Sequence, residues 1–323
     1  MKKVLFFGAG VLGSLYAAKL HEAGTEVALV ARGSRYEELK EHGIVLERFD
    51  SGERTTTRVR VLDRMPEGEY FDLCVVLVQK TQLDSALAAL AANTRIPAFL
   101  FMNNTAEGPG AMIDALGRER VLMGHVNAGG ERDGHVVRYM VAEKMTMGEL
   151  DGKRSERLLQ IARTFKAAGF PVELSRNIDA WKRYHVALAV PFAYAMYGHG
   201  ACNFRLSRSR EDVKRCLQGI REAFQVLRAL EFPVEPSKFR WIFSIPDLLM
   251  VPLFQLVLRS KIADIGMARH LRNARDEMEK LSAEFLVLVQ QAGVETPILD
   301  ELRCGIPQPK PSLVSERLLG NKE

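Results

Sequence analysis

The sequence feature that most constrains the fold is a glycine-rich loop near the start of the chain. Gly8, Gly10 and Gly13 form the pattern G-x-G-x-x-G, directly after the apolar run from Val4 to Phe7 and directly before a segment of helical periodicity. In a strand–loop–helix unit the first glycine permits a tight turn, the second admits a pyrophosphate to the backbone, and the third lets the helix pack closely. The free N–H groups at the helix start then face the pyrophosphate. We therefore expect a dinucleotide cofactor to contact Gly8, Gly10, Val11, Leu12 and Gly13.

The end of the predicted second strand indicates which dinucleotide binds. An acidic residue there would accept a hydrogen bond from the ribose 2′-hydroxyl of NAD. The chain has Arg32 instead, 19 residues after Gly13. A guanidinium group suits a 2′-phosphate, so the sequence predicts NADP(H) as the cofactor. The alternative is that Arg32 is a solvated loop arginine.

The first half of the chain alternates predicted strands and helices. The run from Asp72 to Val78 is continuously apolar, as in a strand buried on both faces. Thr81 is expected to cap the helix that follows. The β-α-β-α order is typical of a doubly wound, mostly parallel sheet. After Gly124 the segments from His135 to Val141 and from Lys144 to Gly148 are expected to be antiparallel strands.

Beyond Ser175 the pattern predicts helices only. Long helices are expected at residues 178–197, 211–230 and 261–292. The predicted fold class is therefore α/β, with a Rossmann-type NADP-binding domain at residues 1–175 and an all-helical substrate domain at residues 176–323. The proline-containing residues from Gly305 onward are expected to be extended.

The segment from Trp241 to Leu258 is apolar enough to be considered as a membrane span. It is only 18 residues long and contains Pro246, Asp247 and Pro252. An acidic residue and two helix breakers disfavour a membrane span. The segment predicts two short buried helices or a lid, although a dimer contact or a membrane-surface contact stays open as an alternative.

Composition excludes several other classes of protein. Apolar residues make up 47% and charged residues 26% of the 323 residues, as in an ordinary soluble domain. The net charge is +5, and the sequence contains no basic run dense enough for a nucleic-acid-binding arm. The four cysteines form no C-x-x-C pair, so neither a disulfide framework nor a metal site is expected. Gly8, Gly10 and Gly13 interrupt the apolar N-terminal run, which is therefore not typical of a signal peptide. We expect a cytoplasmic protein. A homodimer is one option for its oligomeric state.

These features together resemble the ketopantoate reductase (2-dehydropantoate 2-reductase) family. Beside the glycine loop and Arg32, further segments carry the resemblance: Lys80-Thr81-Gln82, Met102-Asn103-Asn104, Arg132-Asp133-Gly134 and Asn177-Ile178 with Trp181. It extends over residues 1 to about 305 and is most specific in the first half. The resemblance implies a Rossmann domain joined to a helical domain, with the active site in the cleft between them. It also implies further cofactor contacts at Lys80, Asn103, Gly130 and Glu277, each with an ordinary structural role as the alternative.

The resemblance further implies a reaction and a proton donor. Family members use NADPH to reduce a 2-keto acid, 2-dehydropantoate in pantothenate biosynthesis, and a lysine two positions after the tryptophan protonates the alkoxide. Here that position holds Arg183, and Lys182 stands one position early. Burial can lower the pKa of a lysine, whereas arginine stays protonated. Because neighbouring helix residues point about 100° apart, only one of the two can face the cleft, and both stay catalytic candidates.

The positions of two further family asparagines fall on Ala187 and Pro191, and a family serine falls on Ile265. The wall formed by residues 187–192 is therefore expected to be apolar, which favours a more apolar keto or imino substrate. The leading hypothesis is an NADPH-dependent reductase of a 2-keto acid. The alternative is a catalytically silent NADPH-binding sensor or partner-binding protein that has lost the proton donor.

Overall fold

The structure, a computed structural model, describes residues 1–306 except 127, 142–143 and 243, and omits the side chains of 241, 242, 262, 266 and 270. The predicted tail from Pro307 onward lies outside the described residues. The strands are β1 (Lys3–Phe7), β2 (Glu26–Val30), β3 (Ile44–Arg48), β4 (Arg54–Thr57), β5 (Arg60–Leu62), β6 (Leu73–Val76), β7 (Phe99–Phe101), β8 (Val121–His125), β9 (Ala128–Asp133), β10 (Val136–Val141), β11 (Met145–Glu149) and β12 (Val172–Leu174).

The helices of the first half are α1 (Val11–Glu22), α2 (Ser34–His42), α3 (Lys80–Ala91), α4 (Gly110–Leu116) and α5 (Glu156–Ala167), with a 3₁₀ turn at Arg118–Arg120. Those of the second half are α6 (Ile178–Gly198), α7 (Asn203–Leu206), α8 (Arg210–Ala229), α9 (Phe239–Ile242), α10 (Asp247–Leu258), α11 (Lys261–Ala263), α12 (Arg269–Asn273), α13 (Arg275–Ala292) and α14 (Pro297–Cys304). The predicted fold class is confirmed: an α/β unit with a mostly parallel sheet is followed by a helical region.

The main sheet has eight strands in the order β12-β11-β8-β7-β6-β1-β2-β5. Its strands are parallel except at the β8–β11 pair, which is antiparallel. Apolar clusters cover both faces, one beneath α1 and α5 and the other beneath α3 and α4. The glycine loop therefore lies at the carboxyl end of central strand β1, where open α/β sheets bind ligands.

A second sheet has four strands in the order β4-β3-β10-β9. The sequence prediction missed it, because β4 is Arg-Thr-Thr-Thr and β9 consists of small and charged residues, so neither has the apolar pattern of a strand. It also corrects the expected pairing after Gly124, since β10 pairs with β9 and β11 pairs with β8. β9 brings Gly129 and Gly130 close to the glycine loop and so forms one wall of the cleft.

In the helical half, α6 begins where it was expected. The Asn177 side chain accepts a hydrogen bond from the Ala180 backbone N–H, and the helix continues through Pro191 to Gly198. The single helix predicted over 261–292 is wrong, because the chain forms α11, a π-helical turn at Asp264–Ala268, α12 and then α13. The predicted stop at Gly293 is correct, with φ at +62°. Thr81 lies inside α3, whose N-cap is Gln79.

The apolar segment forms two short helices, α9 and α10, as predicted, but α10 is not buried on all sides. Leu248, Leu249 and Leu256 are exposed by 72%, 64% and 66%. Within the described residues, none of the helices is both long and apolar enough to cross a membrane.

Candidate active site

The three glycines of the loop differ in the space that a side chain would have at each position. Gly8 adopts φ +111°, and a Cβ there would lie 2.5 Å from the Leu77 carbonyl oxygen. A Cβ on Gly13 would lie 1.8 Å from the Gly8 carbonyl oxygen, so α1 packs against the loop only with glycine. A Cβ on Gly10 would meet no atom within 4 Å. Gly10 therefore faces open space at the N-terminus of α1, where backbone N–H groups favour an anion.

Two arginines after β2 take different positions. Arg35 is buried and donates to the Ala9 carbonyl from Nε at 3.2 Å and to Ser14 Oγ at 3.1 Å, so it holds the glycine loop. Arg32 is exposed, with its guanidinium 5.7 Å from the centre of the Phe7 ring. Arg32 forms no ion pair within the described part of the chain, which leaves its charge available for a ligand. Sequence reasoning missed Arg35.

A cleft of about 440 Å³ extends from the glycine loop to the helical half. Its lining combines strand ends of the main sheet, the β9 wall and the start of α13. The residues that line it are Gly10, Val11, Leu12, Gly13, Leu77, Val78, Gln79, Met102, Asn103, Asn104, His125, Val126, Ala128, Gly129, Gly130, Glu131, Arg132, His185, Asn273, Ala274 and Glu277. Most of the predicted cofactor contacts therefore lie together around one cavity. Gly8, Arg32 and Lys80 lie outside this lining.

Asn103 lies in the cleft with a buried side chain. Its Nδ2 donates to the Asn104 carbonyl at 3.0 Å, whereas its Oδ1 has no hydrogen-bond partner. A buried acceptor without a partner costs free energy, which a donor on a bound molecule would recover. Gly130 lies opposite, where a Cβ would be 2.1 Å from the Arg138 carbonyl oxygen.

Glu277 and Lys80 approach one another at the inner edge of the cleft. The Glu277 carboxylate, in the first turn of α13, accepts a hydrogen bond from the Lys80 backbone N–H at 3.5 Å. The Lys80 side chain points away from the cleft. Its Nζ lies 3.0 Å from Glu284 Oε1 and 3.1 Å from Glu107 Oε2. Lys80 thus joins the two halves of the molecule, while Glu277 lines the cleft.

Lys182 is 2% exposed, and its Nζ donates to the Gly124 carbonyl at 2.5 Å. Burial is the main cause that lowers the pKa of this lysine to about 7, and the nearby charge of Lys80 adds to it, whereas Asp179 and Glu277 oppose it. Because Gly124 precedes the cleft-lining His125, this ammonium group lies directly behind the cleft wall.

Arg183 points to a different part of the molecule. Its guanidinium donates to the carbonyls of Ala106 and Glu107, pairs with Asp179 at 3.1 Å, and lies 4.5 Å from the centre of the Phe232 ring. It is absent from the cleft lining. The expected difference in direction between residues 182 and 183 is thus seen, with Lys182 on the cleft side.

Two histidines contribute to the cleft and were not among the predicted contacts. His125 and His185 both line it, with ring centres 4.0 Å apart, and Trp181 stacks on His185. His185 lies one turn after Trp181 on the partly exposed face of α6. That spacing was readable in the sequence, but the partner His125 is 60 residues away and only the fold brings the two together.

The expected apolar wall of residues 187–192 is largely internal. Ala187, Val190 and Phe192 belong to the apolar core of the helical half, while Leu188 and Ala189 stay partly exposed. The predicted apolar substrate wall is therefore mostly the packing face of α6, and the cleft side of this helix carries His185.

Comparison with known proteins gives consistent findings. Residues 4–152 match the family described as Ketopantoate reductase PanE/ApbA. A 2-dehydropantoate 2-reductase from Aquifex aeolicus is 24% identical over 306 residues, which cover 91% of this chain and 93% of that protein.

Solved structures share the fold. That of 2-dehydropantoate 2-reductase from Geobacter metallireducens has a TM-score of 0.76 at 18% identity, over 94% of this chain and 98% of that one. D-mandelate dehydrogenase with NADH and anilino(oxo)acetate has a TM-score of 0.75 at 15% identity, over 95% of this chain and 97% of that one.

Proposed function

We propose that the protein is an NADPH-dependent reductase of 2-keto acids, a proposal supported by the match of residues 4–152 to the family described as Ketopantoate reductase PanE/ApbA. The observation that carries the proposal is a single cleft lined by the glycine loop, with a buried lysine of lowered pKa, Lys182, directly behind the wall that contains His125. The first element suits a dinucleotide and the second suits proton donation to a carbonyl oxygen.

The residues around the cleft fit NADP(H). The open backbone at Gly10 and the start of α1 would hold the pyrophosphate, and Arg32 would pair with the 2′-phosphate. The unpartnered Oδ1 of Asn103 would accept a hydrogen bond near the reacting end. When bound, the cofactor supplies the hydride. Gly130 lets β9 pair closely with β10 and approach the start of α1, because a Cβ there would lie 2.1 Å from the Arg138 carbonyl oxygen and 3.0 Å from Val11 Cγ1.

The chain itself supplies the proton. We assign Lys182 as the buried proton source, since its pKa of about 7 makes the ammonium group a competent acid near neutral pH. The lysine does not line the cleft, whereas His185 does. We therefore propose that the proton passes from the Lys182 ammonium group, which donates to the Gly124 carbonyl behind His125, into the cleft at this part of its wall.

Arg183 has a positioning role in this proposal. By binding the carbonyls of Ala106 and Glu107 it fixes α6 against the loop after β7, which carries Asn103. An arginine stays protonated at ordinary pH, so it serves this role better than it would serve proton donation.

The test is oxidation of NADPH by the purified protein with a panel of 2-keto acids that includes 2-dehydropantoate and an aryl 2-keto acid. We expect turnover with NADPH well above that with NADH, and Arg32→Ala to reduce this preference about tenfold or more. Lys182→Ala should lower kcat by about 10²-fold or more, while the exposed control Lys153→Ala leaves it unchanged.

The outcomes separate the two hypotheses. NADPH binding without turnover on any 2-keto acid would favour the silent NADPH-binding protein. Full activity in Lys182→Ala would contradict the assignment of Lys182 as the proton source, but it would not contradict the reductase function.

A further inference from the structure

The strongest unexplained feature outside the cleft is a stripe of exposed apolar side chains along α10. The stripe consists of Leu248, Leu249, Pro252, Leu253, Leu256 and Val257, all exposed. Their spacing of i, i+1, i+4, i+5, i+8 and i+9 places them on one face of the helix. The opposite face buries Met250, Val251 and Leu258 in the helical core.

A helix that is apolar on every side is normally buried. Here the half that faces away from the core has no covering element among the described residues, and Leu253 is 53% exposed. Such a contiguous apolar face on a folded domain marks a surface that contacts another partner.

Four exposed basic residues lie on α7, just after it, and at the C-terminal end of α10 and the start of α11, and we call them the cationic rim: Arg205, Arg208, Arg259 and Lys261. Hydrogen bonds fix α7 beside α10, since Asn203 Nδ2 donates to the Leu258 carbonyl at 2.7 Å and Gln255 Nε2 donates to the Ser207 carbonyl at 2.8 Å. α7 also carries an exposed apolar side chain, Phe204.

The charge of the rim is uncompensated. None of its four side chains forms an ion pair with any residue in the described part of the chain. Acids on α10 and on nearby elements are already engaged: Asp247, at the opposite end of α10, pairs with Arg221, Asp212 of α8 contacts His199 at 3.2 Å, and Asp264 contacts Arg269 at 3.2 Å. The surface therefore combines an apolar face with excess positive charge.

We propose that the stripe and the cationic rim dock on an anionic lipid surface. Leucine side chains enter the boundary between headgroups and acyl chains, and arginine and lysine bind the phosphates. A second copy of the chain fits less well, because a stripe-to-stripe contact brings no free acid to either rim, Asp247 being paired already. In this proposal α10 lies on the membrane.

The experiment is co-sedimentation of the full chain with vesicles of phosphatidylcholine that contain either 30% or no phosphatidylglycerol. We expect binding to the anionic vesicles to be at least tenfold tighter and to be lost in 0.5 M salt. Val257→Asp, in the stripe, should abolish binding. Val287→Asp on α13 is the matched control, since the Val287 side chain is 49% exposed and the Val257 side chain is 43% exposed.

Arg259→Glu tests the rim independently and should weaken binding several-fold, whereas Arg64→Glu, at an exposed remote position, should not. Thermal unfolding of each variant confirms that the fold is intact. Absence of vesicle binding, equal binding to neutral vesicles, or equal loss in Val257→Asp and Val287→Asp would overturn the proposal. So would a dimer in solution that Val257→Asp dissociates and that binds no vesicles.

Discussion

Lys182 shows how the position of one residue decides its chemistry. Its ammonium group has one hydrogen bond, to a backbone carbonyl, and burial brings its pKa down to about 7. The protonated form required for donation is then lost as the pH rises through 7. We expect kcat to fall about tenfold per pH unit above pH 7.5, while NADPH affinity changes little. Steady-state kinetics between pH 6 and 9 measure this, and a flat profile to pH 9 would contradict the role of Lys182.

The sequence predicted that Lys182 and Arg183 diverge, but not which one lies on the cleft side. That choice depends on how α6 packs against the end of β8 and against the loop around Ala106. These contacts join residues more than 50 positions apart. The same limit applies to His125 and His185, which become neighbours only when β8 and α6 are assembled.

At the scale of elements, the strand–loop–helix unit makes a sharp prediction. Gly13→Ala should destabilise the protein by more than about 3 kcal/mol, because the new methyl group would overlap the Gly8 carbonyl. Gly10→Ala should change the free energy of unfolding by less than about 1 kcal/mol, since its methyl group enters open space and the lower entropy of the unfolded chain offsets the poorer N-cap.

Cofactor titration distinguishes the two variants further. Gly10→Ala should weaken NADPH binding at least tenfold, because its methyl group occupies the cleft beside the start of α1. Chemical denaturation and NADPH fluorescence measure the two effects. Equal stability of both variants would show that α1 tolerates a looser approach to the loop.

Elements with a strong local signal were predicted well. The strands β1, β2, β6 and β7 are apolar, α5 buries one face, and α1 is apolar around most of its surface. The second sheet was missed because β4 reads Arg-Thr-Thr-Thr and β9 carries charge, so neither is apolar. The break before α13 was missed because helical periodicity continues through the π-helical turn, and periodicity alone does not register one added residue.

At the scale of the whole molecule, two ion pairs connect α3 with α13 and so join the halves that form the cleft. Lys80 with Glu284 is buried, each side chain being 3% exposed, and Glu284 also accepts from the Ala106 backbone N–H at 2.9 Å. Asp84 with Lys280 is 2.9 Å apart but exposed at 69% and 33%. The same two helices thus carry one buried and one solvated link.

The two links should differ strongly in their contribution to stability. Glu284→Gln leaves the Lys80 ammonium buried without its closest partner, and we expect a loss of about 3 kcal/mol. Asp84→Asn should cost less than about 1 kcal/mol, because water screens the exposed pair. Adding Lys80→Met to Glu284→Gln should recover part of the loss, since the uncompensated charge is then gone. Urea unfolding of the four proteins measures this. Equal losses in the free energy of unfolding for Glu284→Gln and Asp84→Asn would contradict this expectation. The buried pair would then contribute no more than the exposed pair to holding Glu277 and the glycine loop on opposite sides of one cleft.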